Sequence, residues 1–356
     1  MKTRTVLPAA LALGASLDDG VGLGLSAPER LRRRGALAAG AALALALGAP
    51  TARAAGYTFT PIAPPTAFFG LSPSGINDAG LIVGEWQDPQ RVSHGFTFTG
   101  GVFTSFDAPA ADGSTQGGVT GTQGLGLDSA GRIVGDYVAG GVSHGFVRNA
   151  AGQFTTLDVA GHVNTAAFGI NDSGTVALQV DDGNPSRYSS VLRAADGTLT
   201  PISFPGTLAT GVTALNNAGV TVGGYLDAAD VLHGWIRNPV GVYTSLDDAA
   251  YSLVGPWSLN SAGWVVGELD FAGGSHGFVR DPLGQLSAFD APGAVYTIAT
   301  GIDTAGDIVG QACDAAGLCQ GFLAIPAAVP EPGTLALWLA GAGVVGLRAG
   351  RRPRAT

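Results

Sequence analysis

The chain has 356 residues, 57 of them Gly, and is sparse in charge, with Asp and Glu in excess over Lys and Arg. Between Ala55 and Pro330 stand seven Arg and no Lys against 21 Asp and two Glu, a balance that argues against nucleic acid and anionic membrane surfaces as partners. The glycine has no collagen-like period, and the apolar, β-branched segments between the glycines are those a disordered chain lacks.

Arg30, Arg32, Arg33 and Arg34 lead into the apolar run 35–49, and Ala52-Arg53-Ala54 follows as a small–x–small site. This order predicts an export signal, cut by signal peptidase between Ala54 and Ala55. A short membrane helix is the alternative, but a run of about 15 residues is short for a span of roughly 20. Residues 1–29 carry Asp18, Asp19 and Glu29 ahead of the basic cluster and read as an extension before the signal.

From 55 to 325 one pattern recurs. The glycine that closes an NDAG-like turn stands at 80, 131, 174, 219, 263 and 306. Six units with a period near 44 residues suit propeller blades or a solenoid. Each complete unit reads as four short strands: one ending near Gly-Ile, an IVGDY-like second (133–137), an HGFVR-like third (144–148) and an FTTLD-like fourth (154–158). Asn or Asp opens the first turn and Gly closes it. The second turn carries Pro239 or Pro282 where a type I turn wants φ near −65°. Even, short strands with such turns indicate an all-β repeat architecture.

YTFTPIAPP (57–65) resembles the end of a unit with no unit before it, and the sixth unit ends at Ala324 without a fourth strand. That exchange predicts a six-bladed β-propeller of four-stranded repeats, closed by the N-terminal strand. Glycine inside the second strand (Gly84, Gly135, Gly223, Gly267, Gly310) predicts a close backbone approach between neighbouring sheets or a bulge. In the third unit Ala177 stands in place of that glycine, and Ser189-Ser190-Val191 in place of His-Gly-Phe. Phe96, Phe146, Trp235, Phe278 and Phe322 share one repeat position and read as packing. Trp86, Tyr137, Tyr225 and Trp257 are the candidates for an exposed binding rim.

His94, His144, His233 and His276 recur one per unit, too far apart for a shared zinc. Each is expected to bond a turn or strand within its own blade. Ser93, Ser143 and Ser275 recur with them, and a catalytic residue is normally unique. No nucleophile elbow, phosphate loop or zinc helix appears, and nothing selects Asp181 and Asp182 as a catalytic pair. The sequence therefore predicts no enzyme, no metal and no cofactor. Cys313 and Cys319 are the only cysteines and, in an exported chain, are expected to form a disulfide; a metal pair is the alternative.

Val329-Pro330-Glu331-Pro332-Gly333 precedes an apolar run (334–347), then Arg348, Arg351, Arg352 and Arg354. This segment, 326–356, closely resembles the PEP-CTERM sorting signal of Gram-negative bacteria that make exopolysaccharide. The resemblance implies Pro330, Glu331 and Pro332 as the processing motif, exosortase as a partner and transient inner-membrane insertion. A plain tail anchor is the alternative. The His-Gly-Phe cores at 94–96, 144–146 and 276–278, with His-Gly-Trp at 233–235, resemble the extracellular HAF repeat, with Gly in place of Ala. Together these imply a secreted or cell-surface, non-catalytic protein interacting with exopolysaccharide or biofilm matrix. A secreted glycan hydrolase or lyase and a structural spacer are the alternatives.

Overall fold

The computed structural model describes residues 52–54, 56–64, 68–183, 188–207, 209–271 and 274–327. Among them there is no helix; the fold is all-β and propeller-like. The first four repeat units each form a separate four-stranded antiparallel sheet in which neighbours in sequence are neighbours in space. The second unit shows the plan, with strands Thr122–Leu127, Ile133–Ala139, Val142–Arg148 and Phe154–Thr156. Strands of the fifth and sixth units are joined in a nine-stranded sheet by one parallel pair, Ser275 with Tyr296.

The strand Tyr57–Ile62 pairs antiparallel with Cys319–Pro326, from Tyr57 opposite Pro326 to Ile62 opposite Gly321. It thus holds the fourth-strand place that the sixth unit leaves open. Phe59 anchors it, buried with its ring centroid 5.3 Å from that of Phe322. Ala52–Ala54 adds outside it, Ala52 opposite Phe59. The long step between Gly80 and Gly131 also has a cause: a small hairpin, Thr115–Gln116 with Val119–Thr120, is inserted before the second unit.

Every first strand slips by one residue against its second strand, for example between Pro73 and Gly75 and between Val212 and Ala214. The slip pushes a first-strand carbonyl toward the second strand, where glycine waits. A β-carbon at Gly135 would overlap the Gln123 oxygen, and one at Gly223 the Gly211 oxygen. The third-strand aromatic lies over the same spot, Phe146 on Gly135 and Trp235 on Gly223. The approach is within one sheet, and the bulge causes it.

The third unit needs a correction. Register places Leu178, not Ala177, at the glycine position, paired with Val191 where other units have the aromatic. Leu for Gly and Val for Phe exchange volume across one pair, which close-packed interiors tolerate. Leu178 is fully buried and Val191 partly so.

Two faces result. The first-to-second and third-to-fourth turns lie on one, here the turn face: Gly219 meets Pro239 there, and Gly263 meets Pro282. The second-to-third loops and the connections between units lie on the other, the loop face. On the turn face each unit donates to the next. Asn77 caps its own turn through Oδ1 and donates Nδ2 to the Asp128 carbonyl at 2.9 Å. Asn171 donates to Asn216, Asn216 to Asn260 and Asn260 to Asp303 in the same way. Asp128 cannot donate; it holds Arg132, whose guanidinium reaches the Asn171 carbonyl at 3.2 Å. Asp303 cannot donate either, and there the Thr304 amide bonds Asp78 Oδ1 of the first unit at 2.8 Å.

Candidate binding face

Four units carry the same polar group at the edge of the loop face. The histidine opens the third strand, and an aspartate follows the fourth. The hairpin between them folds the pair together across 13 or 14 residues of sequence. His94 Nδ1 lies 2.9 Å from Asp107, His144 Nδ1 3.0 Å from Asp158, His233 Nδ1 2.8 Å from Asp247 and His276 Nδ1 2.9 Å from Asp290. An aromatic ring backs each imidazole: Trp86 on His94, Tyr137 on His144, Tyr225 on His233 and Phe271 on His276, with centroids 4.2–5.2 Å apart. The imidazoles are about a quarter exposed and the carboxylates about half, as in the 26% and 52% of His144 and Asp158.

The two units without the histidine lack the whole group. The third has Val180, Ser189 and Ser203 at the three places, and the sixth has Ala312, Gln320 and Ala63. Loss of all three together is what an interacting set produces, since an unpaired half-buried imidazole or carboxylate costs free energy. The second and third units also differ at the next position inward. Ser190 is buried and bridges to the fourth unit, donating to the Thr210 carbonyl and accepting from the Val212 amide.

In the first and fourth units a second carboxylate approaches from the second-to-third loop. His94 Nε2 lies 3.7 Å from Asp88, and His233 Nε2 3.3 Å from Asp227. Burial of the His233 ring opposes its charge, but hydrogen bonds and charges from Asp247 and Asp227 outweigh that and raise its pKa.

A second polar set lies hidden between neighbouring sheets, one residue past the second-strand glycine. Glu85, Asp136, Gln179, Glu268 and Gln311 are all buried there. Gln179 donates to the Val212 carbonyl at 2.9 Å and Gln311 to the Leu71 carbonyl at 3.1 Å, each in the following sheet. Glu85 accepts from Gln123, and Ser143 donates to Asp136. Tyr296 donates to Glu268 at 3.4 Å. Burial pushes Glu85 and Glu268 up to about 8, and Asp136 to about 6. Glu85 and Glu268 are therefore held largely protonated in the neutral range, whereas Asp136 is mostly ionised there; all three are packed between units.

The first strands of all six units line one central cavity of about 100 Å³, among them Ser74, Leu125, Phe168, Thr213, Trp257 and Thr300, the residues at the six slips. That space admits a few waters and is well below the roughly 300 Å³ of ordinary small-ligand pockets.

The expected rim of Trp86, Tyr137, Tyr225 and Trp257 does not form. The first three lie beneath the histidines, Tyr137 buried, and Trp257 lines the cavity. Asp107, Asp158, Asp247 and Asp290 are the partners that sequence reading overlooked. Their signal was the Phe-Asp or Leu-Asp pair ending the fourth strand in the same four units that carry His. Asp181 and Asp182 are not brought together as a pair: Asp181 binds Asn164, and Asp182 binds His162. Cys313 and Cys319 are joined in a disulfide across the loop-face hairpin of the sixth unit. Among the described residues no three or more His, Cys, Asp and Glu side chains gather as a group that could hold a metal ion, and no helix is long and apolar enough to cross a membrane. Ala54 ends the short strand outside Tyr57–Ile62, while Ala55 and the Pro330, Glu331, Pro332 motif lie outside the described residues.

Residues 328–354 match the PEP-CTERM protein-sorting motif. No curated protein matches the chain. Among solved structures it is similar to TolB from Acinetobacter baumannii, with 12% identity and a TM-score of 0.44 over 72% of this chain and 54% of that one. It thus spans about half the length of that protein. It is also similar to a gluconolactonase from Xanthomonas campestris, with 15% identity and a TM-score of 0.47 over 76% and 90% of the two chains. The lectin of Aleuria aurantia gives 14% identity and 0.44 over 76% and 100%. These likenesses concern the fold alone. The chain is an exported protein of the Gram-negative type, sorted through a motif that exosortase processes and built on a β-propeller-like scaffold.

Proposed function

We propose that the six units form a closed six-bladed propeller of the HAF-repeat type, acting as a non-catalytic binding module at the cell surface or in an exopolysaccharide matrix. Closure is supported by one cavity shared by six first strands and by sixth-to-first contacts. Besides Thr304 with Asp78, Thr300 Oγ1 donates to the Pro73 carbonyl at 2.6 Å. The binding reading is carried by a single observation: the half-exposed His–Asp group recurs four times on one face. Repetition suits a ligand that itself repeats, because linked weak contacts add through effective concentration. A glycan array probed with the mature chain tests this. Binding that falls when Asp158 and Asp247 become Asn supports it. No binding to any glycan or matrix polymer favours the spacer instead.

The hydrolase or lyase reading has one observation in its favour. Asp270 is raised by burial, accepts from Ser275 and lies near Glu268 and His276 at the fifth unit. Turnover of a matrix polymer that Asp270→Asn abolishes would establish it. In the route to the surface, signal peptidase cuts between Ala54 and Ala55, and the run 334–347 holds the chain in the inner membrane until exosortase acts at Pro330, Glu331 and Pro332.

A further inference from the structure

We infer that the turn face of the fourth and fifth units rests against the inner-membrane lipid surface while the chain is still tethered; the inference builds on the anchoring step just proposed. Four observations converge on it. The last described strand ends on the turn face, where Pro326 packs against Gly306. Only residues 328–333 separate Ala327 from the apolar run 334–347. Fully extended, such a link spans about 20 Å, so the turn face cannot stand far from a bilayer that holds the run.

To one side of the exit, in the fourth and fifth units, the face is apolar at its tips. The third-to-fourth turns of the fourth and fifth units expose Val240 at 84% and Leu283 at 91%, each on a proline-stiffened turn, with Trp264 at 39% on the adjacent first turn. The corresponding tips of the first three units are Gly100-Gly101, Ala150-Ala151 and Ala195-Asp196. Charge in these two units is uneven between the faces. Arg237 and Arg280 close the third strands on the turn face beside a single carboxylate, Asp281, whereas Asp227, Asp230, Asp247, Asp248 and Asp290 stand on the loop face. Most of the acidity of these two units thus points away from the bilayer. A Trp and aliphatic tips flanked by Arg is the chemistry of an interfacial contact, with apolar groups entering the headgroup boundary.

The test uses the full chain, disulfide intact, reconstituted in phosphatidylethanolamine–phosphatidylglycerol vesicles. An environment-sensitive dye is placed at Leu283→Cys or, as the loop-face control, at Ala229→Cys; both sites are exposed and leave the sheets untouched. The expected result is a blue-shifted dye at 283, quenched severalfold more by a lipid-phase quencher than the dye at 229. Equal access of an aqueous quencher to both dyes, in a chain that floats with the vesicles, overturns the docking and leaves the anchor intact. A chain that does not float overturns the anchoring step, and the docking with it. Val240→Asp with Leu283→Asp supplies a second measurement: flotation is retained, and the dye contrast is lost when read from Trp264→Cys.

Discussion

A carboxylate and an imidazole held 3 Å apart at a half-wet edge form a weak bond by the standards of a protein interior. Exposed pairs of this kind contribute about 0–1 kcal/mol. His144→Ala and Asp158→Ala should therefore each cost about 1 kcal/mol in denaturant unfolding, and the double variant little more than either alone. Independent, additive losses would show that the pair is not coupled. The buried carboxyls act more strongly and in one direction. Glu85 and Glu268 bind a proton more tightly folded than unfolded. Their contribution is present below pH about 4.5 and is lost as pH rises toward about 8. Gln179 and Gln311 hold the same place in other units and bond the next sheet without a charge. Glu85→Gln and Glu268→Gln should raise the melting temperature above pH 8 and leave it unchanged near pH 4; an equal shift at both ends would refute the burial argument.

At the scale of the strand, the sequence pattern was legible because it repeats. Turn residues, glycine in the second strand and aromatics in the third each recur at fixed spacing, and each has a local cause. What was not legible depended on register. The His–Asp group joins residues on nonadjacent positions of a hairpin, and the slip in the first strand moves one partner relative to another. The misplacement of the third unit's exception, Leu178, by one residue is an error of that kind. The bulge also sets a steric rule. Gly135→Ala should destabilise by about 3 kcal/mol or more, since the clash is with backbone. Gly135→Leu with Phe146→Val copies the third unit's solution, and should recover stability relative to Gly135→Leu alone in thermal unfolding. No recovery would mean that Leu178 and Val191 depend on more than their mutual volume.

For the whole molecule, the proposed ring is fastened where the ends of the domain meet. Thr60 lies opposite Leu323 in the pairing of Tyr57–Ile62 with Cys319–Pro326. Thr60→Cys with Leu323→Cys should oxidise spontaneously and raise stability by up to about 5 kcal/mol, the loop-closure entropy of a chain that long. Failure to oxidise in the folded protein would contradict the pairing itself. The turn-face hydrogen bonds, by contrast, were half visible. Asn as a turn cap was expected, but its second use, as donor to the neighbouring unit, appears only when six turns stand side by side.

The fastening has a consequence for how the protein is made. An exported chain emerges with its amino end first, so Tyr57–Ile62 reaches the far side of the membrane long before its partner exists there. Through most of translocation this segment has no native neighbour on the Cys319–Pro326 side, and long-range pairing of that kind is intrinsically slow and exposed to aggregation. Its partner arrives only eight residues ahead of the apolar run that begins at 334. In the proposed route, completion of the last sheet and arrest of the chain in the bilayer are thus almost the same moment of its biogenesis.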